Sequence, residues 1–186
     1  MAGLLCAGLL AAGLSIGVAG TAHAASDPTI PDPIWNEINW PFMNGNGIPL
    51  CLDVPGGSMS VGTRLQLWRC HGYASNGGPQ RWHFDNTGLP PREYKIWNTN
   101  SGLCIGFENN AVFDGARLVQ EPCWQAPTWD EVLQNTDGTD PLIKLVATGT
   151  GLEMASGSEF DNNGDPIVAR PLSFDFTDAA DILQLT

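Results

Sequence analysis

The sequence predicts an all-β protein of three similar units, each holding about four short strands. Two observations carry this expectation. The apolar stretches are short and bounded by turn residues, as in "RLQLW", "YKIWN", "ARLVQ", "LIKLVA" and "PIVAR", and 22 glycines and 14 prolines are spread along the chain. That is a pattern of many strands, with few helix signals. The chain also repeats itself. With Cys51, Cys104 and Glu153 aligned, 53 and 49 residues apart, "PLCLDV" faces "GLCIGF" and "GLEMAS". Gly62 then faces Gly115 and Gly164, in turns rich in Gly, Asn and Asp, and "LQLWRC" faces "LVQEPC" and "IVARPL". Three units that need neighbours to cover their apolar faces imply a closed, pseudo-threefold β structure.

The segments follow in order. Residues 1–24 contain no Asp, Glu, Lys or Arg, are rich in Ala, Gly and Leu, and end in Ala22-His23-Ala24. Small residues at such a junction are what signal peptidase accepts. The segment is therefore expected to be a secretory signal whose cleavage leaves an extracellular protein with no membrane attachment. Residues 25–37, "ASDPTIPDPIWNE", form an acidic, proline-rich lead-in that Trp35 is placed to dock. The repeats are expected at about 38–89, 90–140 and 141–186, together one domain.

Cleavage removes Cys6 and leaves four cysteines in an oxidising space. Cys51 and Cys70 enclose as many residues as Cys104 and Cys123 do. Equal spacing favours two local disulfides, 51–70 and 104–123, each stabilising by about 3 kcal/mol in the chain-entropy model. The third unit has lost both cysteines together, with Glu153 and Leu172 in their columns, as a bonded pair would. Metal ligation is the weaker alternative, because there is no short C-x-x-C and there are few histidines. "DNNGDP", Asp161 to Pro166, has a calcium-like D-x-N-x-D spacing, but Pro166 stands where a calcium loop needs glycine. A turn is expected there, and no metal or other cofactor.

A net charge of −12 with eight Lys and Arg residues argues against nucleic acid and anionic lipid as partners. No nucleophile elbow, zinc-protease or phosphate-loop motif is present, so no enzyme is expected. The enzymatic alternative is a paired-carboxylate glycosidase, which leaves little trace in sequence. A different chemistry is visible at 51–82. A sugar offers an apolar C–H face and a rim of hydroxyls, and is bound by an aromatic plate and short, fixed polar groups. Asp53 can accept two hydroxyl hydrogens, Trp68 can supply the plate, and Gln66, His71, Asn76 and Gln80 add mixed donors and acceptors. In "LQLW", Gln66 and Trp68 share one face of a strand and Leu65 and Leu67 the other. A 51–70 bridge would hold Asp53 near Trp68.

The same columns read Gly106, Val119 and Glu121 in the second unit, and Ala155, Val168 and Arg170 in the third. One working site is therefore expected, in the first unit. Trp82 is expected in the core, with Val132 and Ile182 taking its place in the other units. His83 is expected to face solvent. Trp97, Trp124 and Trp129 are expected to be structural or scattered on the surface.

The order "CLDV…LQLWRC…QRW" resembles the ricin B-type lectin repeat, over residues of about 38 to 186. The resemblance implies a β-trefoil, and it implies that Asp53, Gln66, Trp68 and Gln80 line a sugar pocket. Pro79 stands where the family has Asn, which leaves Asn76 and His71 as candidates for that role. The implied function is lectin-like binding of galactose- or xylose/arabinose-type glycans, weak per site. The implied partners are a glycan or polysaccharide and, acting beside it, a separate secreted glycosidase. The alternative is a trefoil used for protein contacts, an inhibitor or toxin component with decayed sugar sites.

Overall fold

The computed structural model describes residues 35–43, 47–71, 78–87, 92–133, 142–158, 161–174 and 183–185. The expected signal, most of the lead-in and Asn76 lie outside the described residues. Twelve strands are described, four to a unit. The first unit holds β1 (Trp35–Met43), β2 (Pro49–Asp53), β3 (Gln66–Arg69) and β4 (Arg81–Asn86). The second holds β5 (Glu93–Asn98), β6 (Cys104–Phe107), β7 (Leu118–Glu121) and β8 (Trp129–Leu133). The third holds β9 (Leu142–Ala147), β10 (Leu152–Ser156), β11 (Ile167–Pro171) and β12 (Leu183–Leu185).

The first and last strands of each unit form a ring. Antiparallel pairing runs β1 to β4, β5, β8, β9 and β12, and β12 returns to β1 through Ile38 opposite Leu185. Closure removes the exposed sheet edge that an open arrangement would leave. The two middle strands of each unit make hairpins, β2–β3, β6–β7 and β10–β11. These attach to β1, β5 and β9.

The hairpins lock together in a cycle. Gly62 N–H donates to Gln120 O at 2.7 Å, Gly115 N–H to Ala169 O at 2.7 Å, and Gly164 N–H to Leu67 O at 2.8 Å. Each glycine reaches into the next unit, and the third reaches back to the first. Their φ angles are 81°, 86° and 89°, a region L-residues rarely adopt, so the glycine column of the repeat is a conformational requirement. Asp165, in the turn that also holds Gly164, accepts from the N–H of Asn162 at 2.7 Å, and "DNNGDP" is the turn expected of it.

Inside the ring lies one apolar cluster that includes Ile38, Leu52, Leu67, Trp82, Phe84, Tyr94, Ile105, Trp129 and Leu145. Two tryptophans play one part in it. Trp82 Nε1 donates to Leu52 O at 3.1 Å, and Trp129 Nε1 to Ile105 O at 3.2 Å. Leu52 and Ile105 hold the same repeat position, so Trp129, not Val132, is the second unit's counterpart of Trp82. The connection from Glu121 to Trp129 is shorter than that from Arg69 to Arg81, so the tryptophan comes earlier in the second unit than the Val132 column assumes. In the third unit the register puts Leu183 opposite Ile143, in the place that Trp129 holds opposite Tyr94, so the column continues at Leu183, not Ile182.

Two further expectations are corrected. Strand β1 begins at Trp35, opposite His83, so the boundary drawn after residue 37 falls inside a strand. His83 is buried, because the cross-strand Trp97 ring stacks on it with centroids 4.8 Å apart. Its Nδ1 also lies 2.8 Å from Asp85 Oδ1, and Trp97 Nε1 donates to Asp85 Oδ2 at 2.9 Å.

Both expected disulfides, Cys51–Cys70 and Cys104–Cys123, are formed. The third unit ties the same two places differently. Glu153, in the first cysteine column, is fully buried beside Lys144, with Nζ 2.9 Å from Oε2 and 3.1 Å from Oε1. Its Oε1 also accepts the N–H of Ser173 at 3.0 Å, next to the second cysteine column at Leu172.

Candidate functional site

The β2–β3 hairpin builds one side of a cleft. Register places Asp53 directly opposite Gln66, and Cys51 opposite Trp68. Period-two alternation turns Leu65 and Leu67 inward, at 2% and 0% exposure, and leaves Trp68 at 38%. A cavity of about 370 Å³ is lined by Asp53, Gly56, Gly57, Gln66, Trp68, His71 and Pro79, within the usual range for small-ligand clefts. The two glycines belong to the turn Pro55–Gly57 that follows Asp53 and have φ angles of 61° and 65°. Nothing in the cysteine and tryptophan spacing pointed to them; the Pro-Gly-Gly turn signal could have.

The carboxylate at the centre is oriented rather than neutralised. Gln66 Nε2 donates to Asp53 Oδ2 at 2.8 Å. Burial pushes the Asp53 carboxyl above its ordinary range, and hydrogen bonds from Gln66 and Gln80 together with the nearby His71 pull it partly back. An amide-held, partly desolvated carboxylate is a strong acceptor for hydroxyl hydrogens. The half-exposed Trp68 ring offers an apolar wall beside it.

Of the six residues expected to contact a sugar, Asp53, Gln66, Trp68 and His71 meet in this cleft. Gln80 lies behind it. Gln80 is 2% exposed; its Oε1 accepts the N–H of His71 at 2.8 Å and its Nε2 donates to Arg69 O at 3.0 Å. It therefore clamps the end of β3 to the start of β4 and fixes where His71 begins. Pro79 lines the cleft, and its carbonyl accepts from Val54 N–H at 3.0 Å and Asn98 Nδ2 at 3.1 Å. The buried Asn98 was not anticipated. It reaches Arg81 O as well, and so anchors the site's far wall from the second unit.

The other units depart from this plan in informative ways. In the second, Gly106 replaces Asp53, and a Cβ added there would lie 1.4 Å from Glu121 Oε1. The carboxylate of Glu121, from the Trp68 column, thus fills the space of the missing Asp. Burial raises its pKa, opposed by a backbone hydrogen bond at Phe107 and by Lys95. The cavity beside it is about 190 Å³. Asn109 and Asn110 line it with φ angles of 58° and 55°, repeating the turn of Gly56 and Gly57. Trp124, in the His71 column, is 81% exposed. In the third unit a cavity of about 420 Å³ is lined by Asp114, Gly115, Arg117, Gly157, Pro166, Val168 and Arg170. Among the described residues no group of three His, Cys, Asp or Glu side chains could hold a metal ion.

Comparison with known structures finds the same architecture at low sequence identity. The Rhizoctonia solani agglutinin superposes with a TM-score of 0.64 at 18% identity, covering 86% of this chain and 99% of that one. The Macrolepiota procera ricin B-like lectin, solved in complex with lactose, gives 0.61 at 15% identity, covering 84% and 97%. An exo-β-1,3-galactanase from Clostridium thermocellum gives 0.64 at 20% identity, covering 84% of this chain and 31% of that one. Comparison with curated protein sequences yields no match. The family model for the ricin-type β-trefoil lectin domain matches residues 43–170. With its ring of six strands, its three interlocked hairpins and that match over most of its length, the chain belongs to the ricin-type β-trefoil lectin domain family.

Proposed function

We propose that the protein is a secreted, non-enzymatic glycan-binding module whose working site is the first-unit cleft. The observation that carries this reading is the convergence of Asp53, Gln66, Trp68 and His71 on one cavity of about 370 Å³. Asp53 accepts two hydroxyl hydrogens of the sugar, Gln66 orients that carboxylate and completes the polar rim, and Trp68 stacks on the C–H face. His71 closes the rim from the loop that Gln80 holds. The ligand is a galactose- or xylose/arabinose-type sugar; the lactose-bound lectin and the galactanase among the structural neighbours support the galactose end of that range. One shallow site binds a monosaccharide with Kd on the order of 0.1–10 mM, only a few kcal/mol. A longer glycan, or a separate secreted glycosidase working on the same polysaccharide, supplies the useful context. The two disulfides support an oxidising, extracellular setting.

A glycan array with the oxidised protein, run beside Asp53→Ala and Trp68→Ala, tests this. Binding that either substitution abolishes, with the circular dichroism spectrum unchanged, is the expected result. Binding retained in both variants sinks the first-unit site. A folded protein that binds no glycan favours the other reading, a trefoil scaffold for protein contacts, which the loss of the Asp-Gln-Trp set in two units supports.

A further inference from the structure

Between the second and third units the cyclic symmetry is broken in a way that leaves positive charge without a partner among the described residues. Three bridges mark equivalent positions, Arg64 opposite Val119, Arg117 opposite Val168, and Pro166 opposite Gln66. Arg117 is thus the counterpart of Arg64. At the first junction Arg64 Nη2 lies 2.8 Å from Glu108 Oε1, and its Nε donates to the same oxygen at 2.9 Å. Glu108 has Gly157 as its counterpart in the third unit, so the carboxylate that would meet Arg117 has been deleted. A second guanidinium has been added, since Arg170 stands where the first unit has Trp68. Neither Arg117 nor Arg170 has a side-chain ion pair or hydrogen bond among the described residues, and both line the cavity of about 420 Å³. Two of the eight basic residues of a chain carrying −12 are therefore gathered in one groove.

We propose that this groove is a second binding site, specific for a carboxylate-bearing sugar, a uronate. The ligand's carboxylate takes the place toward Arg117 that Glu108 takes toward Arg64, with Arg170 as the second donor. Guanidinium forks match a planar carboxylate, whereas a neutral hydroxyl rim gains little from two cations. Asp114, exposed at the lip, accepts a hydroxyl hydrogen and repels further negative charge, which favours a single carboxylate over a densely sulfated chain. The sugar-ring part of the proposal rests on the glycan-binding reading above; the charge recognition does not.

The test is NMR titration of the oxidised protein with D-galacturonate, D-galactose and acetate, in wild type, Asp53→Ala and Arg117→Gln/Arg170→Gln. Both arginines are at the surface or half-buried, so the double variant keeps its fold, which its amide spectrum checks. Galacturonate binding should weaken at least tenfold in the double arginine variant and persist in Asp53→Ala, with galactose showing the reverse. Unchanged galacturonate affinity in the arginine variant overturns the proposal. So does acetate binding as tightly as galacturonate, loss of galacturonate binding in Asp53→Ala, or no galacturonate binding to wild type. Arginine-dependent galacturonate binding in a protein that ignores galactose would uphold this site and refute galactose as the ligand of the first-unit one.

Discussion

Burial sets the charge of Asp53 against the stability of the fold. Its folded-state pKa is raised, chiefly by burial, so the folded protein holds that proton more tightly than the unfolded chain. The sign follows by linkage: the stabilising effect of protonation is fully present below the ordinary Asp pKa and is lost as pH rises through the raised folded value. At neutral pH the ionised group is a net burden on the fold. Asp53→Asn should therefore weaken glycan binding at least tenfold while leaving the melting temperature unchanged or higher. The thermal advantage should shrink as the pH is lowered through the folded pKa, read by parallel thermal melts. Glycan binding by wild type should fade with acid at a higher pH than an exposed aspartate would produce.

The β6–β7 hairpin shows how one exchange of residues forces another. Gly106 and Glu121 are coupled, because a side chain at 106 would occupy the space of the Glu121 carboxylate. Gly106→Ala should destabilise by about 1–3 kcal/mol, the usual range for overpacking. The loss should be smaller in a Glu121→Ala background, with urea unfolding of the four-member cycle giving the coupling. In the sequence Gly106 and Glu121 look like two separate losses, because a one-dimensional column cannot show a carboxylate crossing to the opposite strand. The disulfides, the turn glycines and the Asp53–Gln66–Trp68 cluster were readable, since each depends on spacing or alternation within one hairpin. That Trp129 fills the Trp82 column was not legible, because the loop before it is shorter than its counterpart. His83 was misplaced because its cover, Trp97, comes from a strand in the next unit.

In the whole trefoil the three units hold one another through the glycine turns. Because Gly62, Gly115 and Gly164 share a left-handed φ and have open space where a Cβ would point, substitution brings strain without a clash. Each Gly→Ala change should lower stability by about 1–2 kcal/mol. The three losses should be similar, and each should appear in a single cooperative unfolding transition by calorimetry. A transition split into separate unit-sized steps would contradict the interlock. The pairing of β1 with β12 has a consequence in time as well as space. Strands from the first and third units must meet before the barrel exists, so the growing polypeptide carries an unfinished ring until residue 185 has left the ribosome. Such sequence-distant pairing predicts slow folding. It also predicts that a nascent chain halted before β12 stays protease-sensitive throughout, the early units included.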